Sequence, residues 1–123
     1  MAKPKKNAER EQRIRDEIIV DAYGPEEQAM GWYYYLQDNL LFPFTASCID
    51  EMETSPLLKD DEVKVLGMPS EDTCQHDMFV KVRWEGRSLA VPLSQLNVSA
   101  EADEDTSVAI GDWHYWIAQG YML

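Results

Sequence analysis

Between residues 41 and 98 the chain is cut into short strand-like pieces by turn residues, and that rhythm limits its fold more than any other feature. Residues 41–49 (LFPFTASCI), 62–68 (EVKVLGM), 78–84 (MFVKVRW), 88–91 (SLAV) and 97–98 are rich in β-formers or alternate apolar with polar. Pro43 confines the start of the first piece to an edge, and Glu85-Gly86 reads as a hairpin turn. Residues 93–96 (LSQL) fit a short helical turn, and residues 69–77 (PSEDTCQHD) a polar loop. Four or five short strands at roughly ten-residue spacing are the signature of a small barrel.

Helical patterns flank this region. Ile14, Ile18 and Ala22 mark one apolar face of a helix expected over 9–23, which Gly24-Pro25 stops. Pro25, Glu26 and Glu27 suit the start of a second helix carrying Ala29, Met30, Tyr33 and Leu36. Trp32 to Tyr35 fit a strand almost as well. Near the end, Asp103 or Asp105 could cap a third helix with a stripe of Val108, Ala109, Trp113, Trp116 and Ile117, closed by Gly120. The expected fold class is therefore mainly β with flanking helices, an α+β arrangement around a small β-barrel core. Residues 1–8 read as a flexible basic arm and residues 9–123 as one domain.

The 123 residues hold 23 acids and 11 bases, a net charge of −12. Residues 1–15 carry six bases and two acids, +6 − 2 = +4, so residues 16–123 carry 5 − 21 = −16. That excess argues against nucleic acid or an anionic membrane as the main partner. It also calls for something to offset self-repulsion: solvent counterions, the basic arm, a basic protein partner or a bound multivalent cation. No apolar run is long enough to span a membrane, and no secretory signal is visible. Cys48 and Cys74 make a poor disulfide framework, though a lone bridge between them stays open; the reading is a reduced, cytoplasmic setting.

Residues 101–106 hold four carboxylates, carbonyls and a hydroxyl, the hard oxygens calcium prefers. The segment fails as an EF-hand: it starts with Glu101, has Thr106 where glycine belongs, and ends on Asp112 rather than glutamate. Such acids also cap and solvate helix starts, so both readings stand at this point. Asp38-Asn39 adds a carboxylate and an amide oxygen that could meet this loop in space. Asp60, Asp61 and Glu62 suit the turn before a strand, and Glu71, Asp72 and Asp77 could form a weaker site. Cys74 and His76, with Cys48 and His114 elsewhere, fall short of a zinc pattern. No nucleophile motif or glycine-rich phosphate loop occurs, so an enzyme is not expected. The tryptophans and tyrosines suit core packing rather than a base-stacking platform.

Three long segments carry a resemblance: WYYYLQDNLLFPFTASC at 32–48, VRWEGRSLAVPLSQL at 82–96 and ADEDTSVAIGDWHYWIAQGY at 102–121. From Arg13 to Tyr121 the chain is similar to the CcbP-type calcium-binding proteins of cyanobacteria. The resemblance implies a compact, SH3-like β-barrel core wrapped by loops. It further implies Ca2+ bound by surface carboxylates without an EF-hand, and a role in calcium buffering or sensing, with heterocyst regulation in filamentous hosts. Carried onto this sequence, the implied ligand set is Asp38 with Glu101, Asp103, Glu104 and Asp105. Gln37 stands where some relatives would have an acid, leaving one charge fewer. The alternative function is an acidic SH3-like module that recognises a basic protein.

Overall fold

The tightest turn fixes the register of the sheet. Glu85 and Gly86 both take positive φ, 49° and 76°, the type I′ geometry that matches the twist of two antiparallel strands. It joins β3 (Phe79–Trp84) to β4 (Arg87–Pro92), paired from Trp84 opposite Arg87 to Phe79 opposite Pro92. β2 (Glu62–Gly67) lies on the other side of β3, with a slip in register between Val65 and Gly67. β1 (Phe44–Cys48) pairs with β2 and with β5 (Leu96–Val98), giving the antiparallel order β4-β3-β2-β1-β5. This computed structural model describes residues 5–20, 22–98, 102–121 and 123.

The period-two pattern seen in the sequence does its expected work. Ala46, Cys48, Val63, Val65, Val80, Val82 and Leu96 are buried, while Thr45, Lys64, Lys81 and Arg83 between them are exposed. The mainly β core with flanking helices is present. The sheet does not close into a ring, however: β4 and β5 are its two ends, linked by a 3-10 turn at Leu93–Gln95. Pro92, which lacks an N–H, ends β4, and β5 is only three residues long, so little ladder is available to seal the gap.

The first helix departs from the uninterrupted 9–23 expectation. α1 (Ala8–Arg13) begins under an Asn7 cap whose side chain accepts the Arg10 N–H, then widens into a π-helical turn at Ile14–Ile18. The wider turn still buries both Ile14 and Ile18. It also brings the Ile18 carbonyl against α2 (Pro25–Asn39) at Gly31, where a Cβ would stand 2.2 Å from that oxygen. Of the expected flexible arm, residues 1–4 lie outside the described residues. Asn7 donates its N–H to the Tyr115 hydroxyl at 2.9 Å.

Gly24 and Pro25 open α2 as expected, and Trp32 and Leu36, one turn apart, both face inward, which makes residues 32–35 helical. α3 (Glu104–Ala118) is capped by Asp103, and Gly120 follows it with φ 88°. α3 packs against α2 and over β5. Trp32, Trp113 and Trp116 meet at the junction, with ring centroids 5.0–5.6 Å apart. The indole N–H groups of Trp32 and Trp113 have no acceptor among the described residues. Burying about 200 Å2 of each ring, on the order of 5 kcal/mol, exceeds the roughly 1–3 kcal/mol cost of one unmet donor. The expected α3 stripe is half right: Ala109, Trp113 and Trp116 are buried, Ile117 is exposed, and Asp112 is fully buried. Cys48 and Cys74 are both buried and unpaired.

Candidate metal centre

Three elements bring carboxylates to one open cleft. Asp38 comes from the last turn of α2, Asp105 from the first turn of α3, and Glu17 from the π-helical turn. All three side chains are exposed, and the cleft measures about 480 Å3. The two helix ends are tied by the Leu41 N–H, which donates to Thr106 Oγ1 at 2.8 Å. Asp38 lies at the negative end of the α2 dipole, where a carboxylate is disfavoured and a cation is welcome. Asn39 also lines the cleft; its Nδ2 donates to the Tyr35 carbonyl at 2.8 Å, which leaves Oδ1 as a neutral oxygen donor.

One wall of the cleft is a cation already in use. Arg13 lines it, but its Nε and Nη2 are held by Asp112 at 2.8 and 2.7 Å. Asp112 also accepts from Arg10 Nη1 at 2.6 Å and from the Tyr35 hydroxyl at 2.7 Å. The bonds from Asp112 hold Arg13 above the ordinary guanidinium value, and burial together with the same carboxylate holds the Tyr35 hydroxyl above its own. Asp112, the last acid of the failed EF-hand, is therefore the internal counter-ion of the basic segment. Two of the six bases of residues 1–15 are folded onto the acidic body in this way.

The acidic run before α3 divides by role. Glu101 lies outside the described residues. Asp103 spends Oδ2 on the N–H groups of Asp105 and Thr106 and faces a separate groove of about 520 Å3 that also holds Glu62. Glu104 is exposed in the first turn of α3 and lines neither cleft. Among the described residues of this run, Asp105 alone shares the cleft with Asp38. Glu17 was not foreseen, because one residue before a buried isoleucine is ordinarily a solvent position; its placement follows from the π turn, which periodicity does not signal.

The other acidic clusters are occupied or scattered. Asp61 Oδ2 accepts the Leu58 N–H at 2.9 Å, and Asp60 takes φ 74°, as a turn before β2 requires. Glu71 accepts from the Tyr34 hydroxyl, and Asp77 bonds the Met78 N–H at 2.8 Å while burial raises its carboxyl. Three of the four zinc candidates are likewise spent, and His76 stands exposed: Cys74 bonds the Phe79 backbone, Cys48 the Asp50 carbonyl, and His114 Nε2 donates to the Leu96 carbonyl at 2.6 Å. Burial lowers the His114 imidazole below its ordinary value. Among the described residues, no three acidic, imidazole or thiol groups stand close enough to form a ready-made metal cage.

The donor set around Asp38 fits a hard cation. It offers three carboxylates and an amide oxygen with no thiolate or imidazole, in a space wide enough for an ion that keeps some of its water. Among the described residues no helix is long and apolar enough to cross a membrane.

Comparisons with known proteins agree with that chemistry. The CcbP family model, described as calcium binding, matches residues 12–117. The crystal structure of Anabaena CcbP is 43% identical over 100% of both chains, with a TM-score of 0.88. A calcium binding protein solved in its calcium-binding form is 42% identical over 96% of each chain, with a TM-score of 0.85. No curated protein matches the sequence.

Proposed function

The chain belongs to the CcbP family of calcium-binding proteins, and from that premise we propose that it takes up Ca2+ reversibly in the cleft shared by Glu17, Asp38 and Asp105, as a cytoplasmic calcium buffer or sensor. The observation that carries this reading is the convergence of three carboxylates from three elements on one open cleft. Ca2+ cancels their mutual repulsion, Asn39 Oδ1 contributes a neutral donor, and water completes the six to eight oxygens the ion requires. Of the ligand set implied by resemblance, Asp38 and Asp105 bind directly. Asp103 acts as a helix cap, Glu104 adds to the surrounding negative field, and Glu101 lies outside the described residues.

Because the carboxylates are exposed and not preassembled, and because Arg13 stands in the same cleft, affinity is modest, on the order of micromolar or weaker. Modest affinity with fast release suits buffering or sensing better than a permanent structural ion. Calorimetric titration tests the assignment, with Mg2+ at equal ionic strength as the control. Asp38→Asn, Asp105→Asn and Glu17→Gln should each weaken Ca2+ binding by roughly three- to tenfold, about 0.7–1.4 kcal/mol, with circular dichroism unchanged. Glu71→Gln should leave the isotherm alone. Wild-type isotherms for all three cleft variants would place the ion elsewhere.

A further inference from the structure

The sheet carries a second, opposite electrostatic surface. Residues 16–123 contain five bases, and three of them, Lys64, Lys81 and Arg83, share the outward face of the adjacent strands β2 and β3. Lys64 stands directly opposite Arg83, and Lys81 lies two residues from Arg83 on the same face. All three are exposed, and none of their side chains makes a hydrogen bond or ion pair with a described residue. Glu62 shares the face, opposite Ser47, without pairing with them.

This arrangement costs stability. Like charges directly opposite each other on paired strands are destabilising, and a chain with 23 acids does not lack partners to set against them. Lysines often protect sheet edges from mispairing, but β2 and β3 are interior strands here. Thr45, Ser88 and Ala90 stand opposite Lys64, Arg83 and Lys81, so short side chains flank the cations and leave the surface open to close approach.

We propose that the outward face of β2 and β3 docks an acidic, Asp/Glu-rich segment of another protein. Along β3 the cations repeat every two residues, about 6.5–7 Å, the spacing of alternate side chains on an extended peptide. A nucleic acid fits less well. The chain's net charge repels phosphate at long range, three cations are few, and Phe79 and Trp84, the two aromatics on that strand, are packed against the core rather than displayed for stacking. A second copy of this chain fits less well too, since each copy carries −12 and a sheet-to-helix contact is head-to-tail and does not close. The proposal does not depend on the calcium site, because these residues are not among those lining the Asp38 cleft.

The test uses the full chain and a fluorescently labelled Glu-rich peptide, with a Lys-rich peptide of equal length as control, read by anisotropy with Ca2+ and with chelator. Saturable, salt-sensitive binding of the Glu-rich peptide alone is expected in both conditions. Lys64→Glu combined with Arg83→Glu should weaken it by roughly tenfold or more, and the milder Lys64→Gln should weaken it less. Lys59→Glu should not change it. Absence of binding, or equal binding by the charge-reversed variant, overturns the proposal. So does stronger binding of single-stranded DNA at the same face, or wild-type self-association that the double variant abolishes.

Discussion

Asp103 and Asp105 are two positions apart and stand in different surroundings, one at the cap of α3 and the other in the Asp38 cleft. One oxygen of Asp103 closes the start of α3, so Asp103→Ala should lower stability by about 1 kcal/mol and leave the calcium isotherm nearly unchanged. Thermal melting and calorimetry on the same variant separate the two effects. A lost isotherm with an unchanged melt would reverse the roles given to these two residues. The sequence displayed both aspartates as one acidic run, and capping against ligation was left open there because it depends on where the end of α2 lies. Asp112 was still less legible. Its partners Arg10 and Arg13 are about a hundred positions away in the chain, and nothing local distinguishes a buried aspartate from a solvated one on a polar helix face.

At the scale of elements, local signals did well wherever one or two residues decide the geometry. Glu85-Gly86 set the hairpin, Gly24-Pro25 set the start of α2, and valine alternation set β2 and β3. They failed where a neighbour decides. The π-helical turn at Ile14–Ile18 lies against α2, and Gly31 is the residue that leaves room for the contact. Gly31→Ala would drive a Cβ into the Ile18 carbonyl at 2.2 Å, so the turn has to shift. The expected result is a loss of about 1–3 kcal/mol in stability, together with weaker Ca2+ binding, because Glu17 rides on the displaced turn. Helix propensity alone would predict the opposite sign, since alanine is favoured over glycine inside a helix. A variant that melts higher and binds Ca2+ as wild type would remove the π turn from the account of the site.

Across the whole molecule the charge is sorted rather than spread. Arg10 and Arg13 answer Asp112, Lys64, Lys81 and Arg83 gather on the sheet, and among the described residues the other acids form no ion pair. Self-repulsion of a chain carrying −12 lowers the stability of the ion-free protein, and a divalent ion at the proposed site, where α2, α3 and the π turn meet, would relieve part of it. A ligand bound only by the folded state stabilises it by about 2.7 kcal/mol at a hundredfold excess over its dissociation constant. For a chain of this length that is a rise of roughly 10 °C in melting temperature. Mg2+, which gives up water reluctantly and demands stricter geometry, should raise it much less. Monovalent salt supplies the decisive comparison. Raising ionic strength screens the same carboxylates, so the ion-free protein should melt higher in concentrated NaCl and the added gain from Ca2+ should shrink. A calcium gain that stays constant from low to high salt would mean that the ion sits in a buried, preformed cage, and that relief of surface repulsion is not what drives its capture.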